Sequence, residues 1–422
     1  MSVELAVTRI GADGDGIAEA ADGSPAYIPF TLPGEIISAT LAGSRGALDA
    51  VLRPSAERVE PPCPHFGVCG GCVLQHWAAA PSAAWKAAQV AAALRRAGFA
   101  SADVAPPILA ASHTRRRMDF AIRRRPDGIT IGLHAAATRG ADILDLRVCL
   151  VLHPKLFALV EPLRRLLPTL QAFRRDGSAV ANLLDSGPDL LLRLDGTPDA
   201  GDRARLTAFA QAHDLPRITT APLRGGVPEI ACLLRPPTHA QSGMVVSPPP
   251  AAFLQATADG EAAIIAALMA GLPARFSPRA KIVELFAGVG TLTVALASRA
   301  RVLAFEGDAA TYAALAAAVR QPPWAGRVIA TTRDLARQPL RAAELTGAAA
   351  IVLDPPHAGA AAQMPAIAAS GVARVIYVSC NPVTLGRDAA SLRAAGYRLT
   401  TATTIDQFPW SARIESVSVF AR

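Results

Sequence analysis

Lys281-Ile-Val-Glu284-Leu-Phe286-Ala-Gly288-Val-Gly290-Thr291 runs from an apolar, strand-like stretch through a glycine turn into an Ala-rich helical one. That order is the form of a nucleotide-cofactor site, where small residues let the backbone approach the ligand at a helix start. The turn is Gly-x-Gly with no third, phosphate-cradling glycine. S-adenosylmethionine has no pyrophosphate to cradle, so this departure from the dinucleotide fingerprint favours it over NAD. Working outward, candidate strands fall at Lys281–Phe286, Arg301–Glu306, Arg327–Thr332, Ala349–Asp354, Arg374–Ser379, Arg398–Thr404 and Ser416–Phe420. Helical stretches separate the first five, which predicts an open, doubly wound α/β sheet. The loop between the last two is too short for a crossover helix, so these should pair antiparallel.

In such a sheet ligands collect at the carboxyl ends of the strands. Glu306 ends the second strand, where a carboxylate can accept from two ribose hydroxyls. Asp354 ends another, ahead of Pro355-Pro356, and Cys380 follows the run Arg374-Val-Ile-Tyr-Val-Ser and precedes Asn381-Pro382. Glu415 opens the final antiparallel strand, which begins where the parallel ones end. A single cysteine is most often a buried, inert thiol. Here a thiol and two carboxylates share the cofactor's edge, and that trio suits methylation at a pyrimidine carbon. Cys380 would add to carbon 6, Glu415 would remove the proton from carbon 5, and Asp354 would hold the base's polar edge. The target has to be unpaired or flipped out.

The remaining sequence sets the context. A length of 422 residues suggests two to three domains, and 51% hydrophobic against 18% charged residues describes a chain with real cores. Neither a signal peptide nor a membrane span is apparent, so a soluble, cytoplasmic protein is expected. The net charge of +8 favours polyanions, although a bias towards Ala, Gly, Pro and Arg codons would produce the same excess. Arg115-Arg-Arg117 is a more pointed cluster for phosphate, although such runs are commonly solvated surface. Residues 1–58 read as a small β-barrel of the oligonucleotide-binding type, with pieces at Leu5–Ile10, Ala26–Phe30, Glu35–Leu41 and Leu48–Leu52. Residues 59–250 read as a central antiparallel α+β domain that opens with a cysteine cluster followed by a helix over Ser82–Ala97, and residues 251–422 as the cofactor domain. Three of six cysteines are bunched in Cys63-x5-Cys69-Gly-Gly-Cys72; in a reducing compartment this pattern points to metal ligands.

The chain resembles the bacterial 23S ribosomal RNA (uracil-5-)-methyltransferases, within the wider RNA 5-methyluridine methyltransferase family. Three stretches carry the resemblance: Pro61-Pro-Cys63 through Cys69-Gly-Gly-Cys72-Val-Leu-Gln-His76, then Ser379-Cys380-Asn-Pro382, then Asp406-Gln-Phe408-Pro with Ile414-Glu415-Ser-Val417. It spans nearly the whole length, and the three motifs together are highly specific. It implies a TRAM barrel at the N-terminus and a C-terminal Rossmann-like methyltransferase domain. It also implies a [4Fe-4S] cluster on Cys63, Cys69, Cys72 and Cys149, four thiolates being the required count; zinc suits four thiolates equally. The Cys-x5-Cys-x2-Cys spacing departs from that of radical methylases. Cys380 is implied as nucleophile and Glu415 as base, with Gln255, Phe286, Thr291, Glu306, Asp334 and Asp354 on S-adenosylmethionine. The implied partner is 23S ribosomal RNA, met by a monomer without a membrane. The same chemistry on transfer RNA is the nearest alternative, and an amino-methyltransferase or a non-catalytic RNA-binding protein are more distant ones. The barrel and cysteines lean towards ribosomal RNA, because the dedicated transfer-RNA enzymes usually lack both. Three positions depart from the family: Thr257 for Asn, His357 for Arg and Arg413 for His. An arginine paired with Glu415 would favour the ionised form expected of a base.

Overall fold

A computed structural model describes residues 2–102, 104–135 and 142–422. The first five strands, Ser2–Ile10, Gly16–Glu19, Pro25–Ile28, Ile36–Ala42 and Arg45–Arg53, close into a barrel. Alternation builds its core: Leu5 and Val7 on one strand face Ile28, Ile37 and Ala39 on others, all buried. The strand Gly16–Glu19 was not among the expected pieces, being short and bounded by the glycine-rich turn before it.

The central sheet has seven strands in the order Glu229–Leu233, Arg217–Pro222, Gly187–Leu194, Asp176–Leu184, Arg117–Arg125, Gly128–His134 and Ile143–Asp145. It departs from the antiparallel expectation at one pair. Gly187–Leu194 and Arg217–Pro222 run parallel, because the helix Ala200–Ala212 carries the chain back between them. Leu206 and Phe209 of that helix pack into the same core as Leu190, Leu192 and Ile218.

The C-terminal sheet is eight-stranded, ordered Val328–Thr332, Arg301–Glu306, Lys281–Leu285, Ala350–Leu353, Arg374–Ser379, Glu415–Ala421, Arg398–Asp406 and Ile108–Leu109. The first five are parallel, and Glu415–Ala421 is antiparallel to both its neighbours, as expected for the last pair. Both faces are covered, so successive strand residues enter different cores. Ile282, Val352, Ile376 and Val378 join one; Val283, Ile351, Leu353, Val375 and Tyr377 join the other. This is why these strands read as continuous apolar runs rather than alternating ones.

Two elements from the expected central block pack here instead. Helix Ala79–Arg96, stopped by Gly98 at a positive φ of 94°, buries Val90 and Leu94 in the second of those cores. It approaches helix Pro382–Ala394 closely, since a Cβ on Gly386 would sit 3.0 Å from the Ala93 carbonyl oxygen. The short strand Ile108–Leu109 then pairs parallel with the end of Arg398–Asp406. At two residues it is too short to show any periodicity in the sequence. Among the described residues no helix is long and apolar enough to cross a membrane.

Candidate active site and cysteine cavity

The glycine turn folds as its sequence requires. Phe286 leaves the strand at φ 62°, an uncommon conformation for a bulky residue and one that tends to mark functional turns. Gly288 has φ 59° with open space where a Cβ would project, and Gly290 caps the helix Thr291–Ala297 at φ 103°. Glu306 holds this turn from the next strand: its carboxylate accepts from Gly288 N and Asp308 N, both at 2.8 Å, one on each oxygen. Each oxygen keeps a second lone pair, so two acceptor positions remain beside the glycines. Asp334 follows the neighbouring strand, but its carboxylate turns back onto Ala336 N and Arg337 N at 3.0 and 3.1 Å. Its backbone lies close to Gly307, so it borders the site through the main chain. Thr291 Oγ1 accepts from Gln241 Nε2 at 2.9 Å. Gln241 lies in the small hairpin His239–Gln241 and Met244–Val246, whose packing over the turn no sequence signal announced. Beneath the turn, burial raises the Glu284 carboxyl to about 8 and keeps it neutral at pH 7.

The carboxyl ends of the next strands bring Asp354, Cys380 and Glu415 together. Asn381 sets the Cys380 turn: its side chain accepts from Val383 N at 3.0 Å as the N-cap of helix Pro382–Ala394, with Pro382 at the first helical position. Asn381 Nδ2 also donates to the His357 carbonyl at 3.0 Å, tying the turn to the loop after Asp354. Both carboxyls are pushed up, Glu415 by burial and then by Asp354, and Asp354 by burial. Burial raises the Cys380 thiol to about 11, with the Glu415 and Asp354 charges adding to it. Arg413 opposes that shift on Cys380. The expectation that Arg413 would favour an ionised Glu415 is therefore corrected: burial and Asp354 dominate Glu415, and the arginine acts on the thiol. Thr257, one of the three departures, caps helix Ala258–Gly271 by accepting from Gly260 N at 3.0 Å.

Gln255 is buried between these groups. Its Nε2 donates to Asp354 Oδ2 at 3.2 Å and its Oε1 accepts from Gln407 Nε2 at 2.7 Å. Gln407 Nε2 also reaches Glu415 Oε2 at 3.1 Å. Gln407 sits in the quoted Asp406-Gln-Phe408-Pro stretch, but its role depends on contacts the sequence does not expose. The arginine cluster, which leads into strand Arg117–Arg125, divides between two surroundings. Arg116 points inward, donating from Nε to the Gln255 carbonyl at 2.8 Å and pairing with Glu261. It is a brace rather than a phosphate contact. Arg115 and Arg117 line the cysteine cavity.

That cavity, about 290 Å³, is lined by Cys63, Cys69, Cys72 and Cys149 together with Phe408, Pro409, Ser411 and Arg413. Gly71 N and Leu152 N approach the Cys69 and Cys149 sulfurs, each at 3.4 Å. The Arg115 guanidinium interacts with Cys72 and Cys149. These N–H groups and the nearby positive charge favour thiolate ligands, against burial, which raises the Cys69 and Cys72 thiols. Among the described residues no set of three or more His, Cys, Asp or Glu is closed to metal-ligand distances. The fifth and sixth cysteines stand apart: Cys232 is buried in the central core, and Cys380 lies at the carboxyl end of strand Arg374–Ser379. The cysteine segment docks directly on the loop before Glu415, with Val73 N and Leu74 N donating to the Trp410 carbonyl at 2.8 and 2.9 Å. Lys86, buried on helix Ala79–Arg96, donates to Asp406 Oδ2 at 2.6 Å and to the Phe408 carbonyl at 3.1 Å.

The family model described as tRNA (Uracil-5-)-methyltransferase matches residues 328–422. A full-length relative from Caulobacter vibrioides, described as an uncharacterized RNA methyltransferase, is 39% identical, covering 99% of this chain and 100% of that protein. The 23S rRNA (uracil(1939)-C(5))-methyltransferase RlmD of Yersinia enterocolitica is 33% identical, over 99% of this chain and 95% of that one. Among solved structures, the Pyrococcus abyssi tRNA (uracil-54, C5)-methyltransferase in complex with S-adenosyl-L-homocysteine superposes with a TM-score of 0.73. It covers 99% of this chain and 100% of that one at 18% identity, a likeness of fold. On the full-length relatives, the chain belongs to the RNA (uracil-5-)-methyltransferase family.

Proposed function

We propose that this chain methylates carbon 5 of a uridine in 23S ribosomal RNA, with Cys380 as nucleophile and Glu415 as base. The observation that carries the reading is the meeting of Cys380, Asp354 and Glu415 at one sheet edge beside the glycine turn. Uracil carbon 5 is a poor nucleophile until a thiolate adds at carbon 6. Cys380 forms that S–C6 bond, and the electron pair moves to carbon 5 as an enolate. S-adenosylmethionine, when bound, supplies an electrophilic methyl on a cationic sulfonium, which becomes a neutral thioether as carbon 5 takes the methyl. Glu415 then takes the carbon 5 proton, the C6–S bond breaks, and Cys380 leaves as a thiolate. Asp354 and Gln255 hold the polar groups at this edge. Glu306 takes the ribose hydroxyls on its two remaining acceptor positions, while Phe286, Thr291 and the Asp334 backbone wall the cofactor turn.

The four cysteines of the cavity hold a [4Fe-4S] cluster in this reading. Four thiols lining one cavity meet the ligand count that such a cluster needs, a count that zinc shares. The reaction moves a proton and a methyl but no electrons, so the cluster's part is to shape the loop it faces. The relative described as acting on 23S rRNA, similar along its whole length, supports ribosomal RNA as the substrate.

The test uses RNA substituted with 5-fluorouridine. Fluorine cannot leave as a proton, so the wild-type enzyme should form a methylated protein–RNA adduct through Cys380 and the Cys380→Ala variant should form none. An adduct on ribosomal but not transfer RNA establishes the substrate, and the reverse replaces it. Methylation that survives Cys380→Ala without an adduct overturns the mechanism.

A further inference from the structure

Gln407 is bonded to more of the active edge than any role assigned above requires. Its Oε1 faces Thr257 N at 3.4 Å, and a backbone N–H can only donate. The Gln407 amide is thereby oriented with its NH₂ towards Gln255 Oε1, at 2.7 Å, and Glu415 Oε2, at 3.1 Å. The reverse orientation would set donor against donor at Thr257 and acceptor against acceptor at the ionised form of Glu415, the form a base requires. Gln255 follows: its oxygen faces Gln407, so its NH₂ faces Asp354 Oδ2. One backbone N–H thus sets the direction of a chain of side-chain bonds ending on both carboxyls.

The chain occupies one oxygen of each acid and leaves the other. Glu415 Oε1 receives no hydrogen bond from the described residues. A proton acceptor with two equivalent oxygens has to be aimed, because rotation about its last bond exchanges them. The Gln407 bond removes that freedom by holding Oε2. Gln407 is itself held from three sides. Lys86 clamps Asp406 and Phe408 on either side of it, Thr257 N meets its oxygen, and Gly260 lets helix Ala258–Gly271 lie against it. A Cβ on Gly260 would meet Gln407 Cβ at 2.7 Å and Oε1 at 2.9 Å.

We propose that Gln407 is a positioning residue for the second half of the reaction: by holding Glu415 Oε2 it presents Oε1 to the proton on carbon 5. The proposal rests on the assignment of Cys380 as nucleophile and Glu415 as base. It separates two steps that the same edge performs. Addition of the Cys380 thiolate and methyl transfer leave the carbon 5 proton in place, whereas elimination removes it. Loss of the Gln407 amide should therefore slow elimination and leave the preceding steps nearly intact.

The experiment compares wild type with Gln407→Met, which keeps the unbranched side-chain length and removes all three of its hydrogen bonds. On ordinary uridine RNA the variant should accumulate a methylated protein–RNA adduct visible on a denaturing gel, where wild type shows little. Its kcat should fall roughly tenfold to hundredfold, the range for losing one bond to a charged group, with KM for RNA nearly unchanged. Adduct formation on 5-fluorouridine RNA, which needs no proton removal, should keep its wild-type rate. Gly260→Ala, which contacts neither carboxyl, should reproduce a milder form, and it carries the test if Gln407→Met fails to fold. Turnover at the wild-type rate without adduct in either folded variant overturns the proposal. An equal loss of fluorouridine trapping and turnover also overturns it, because the defect would then precede elimination. If wild type itself traps no 5-fluorouridine adduct, it is the underlying mechanism that falls.

Discussion

Replacing Glu415 with Gln should make Cys380 more reactive towards alkylation in the free enzyme while abolishing turnover. The direction follows from the causes of the raised thiol: burial first, then the Glu415 and Asp354 charges, against a smaller favourable effect from Arg413. The thiol stands at about 11 against an ordinary 9.0. At pH 9, above the raised Asp354 and Glu415 carboxyls, the thiolate fraction is then roughly 1% rather than roughly 50%. Only thiolate reacts, so wild-type Cys380 should label roughly fiftyfold more slowly than an unperturbed thiol. Glutamine keeps the shape of glutamate and removes one of the two charges but none of the burial. It should therefore recover only part of that factor, on the order of threefold to tenfold. The assay is iodoacetamide labelling against pH, read by mass spectrometry on the Cys380 peptide, with circular dichroism to show that the variant is folded. Labelling of Glu415→Gln at or below the wild-type rate would refute the electrostatic coupling of thiol and base.

Other consequences can be checked directly. Cys149→Ala, purified without oxygen, should lose its iron and visible chromophore and fold poorly, because one of four ligands and part of the loop support are removed; normal folding with a full complement of iron would sink the cluster assignment. Gly290→Ala places a Cβ 2.7 Å from Leu315 Cδ1 and 2.9 Å from Met244 Cε at a φ of 103°. Left-handed strain and overpacking together should cost about 2–4 kcal/mol in chemical denaturation and weaken S-adenosylmethionine binding in calorimetry.

The layout of the C-terminal sheet was legible because its strands are buried on both faces and its turns carry Gly, Asn and Pro where backbone geometry demands them. The trio Cys380, Asp354 and Glu415 was legible for a related reason: each ends or begins a strand, and in a wound sheet those positions share an edge. The second strand of the barrel, the parallel pair of the central sheet and the two-residue strand Ile108–Leu109 were not. Each is either too short for periodicity or set by where a helix returns the chain.

By itself the sequence indicated the glycine turn, the succession of strands and helices in the wound sheet and the thiol and acids at its strand ends, since these depend on local spacing. The tertiary structure decided what those groups face. It turned Arg116 inward onto the Gln255 backbone while leaving Arg115 and Arg117 on the cysteine cavity. It brought Arg413 to bear on the thiol rather than the base, and it set the cysteine segment against the Trp410 carbonyl. It also joined Asp354 to Glu415 through two glutamines 152 positions apart. Hydrogen bonds and Coulomb interactions act over a few ångströms of space and carry no record of separation along the chain, so only the folded arrangement determines them.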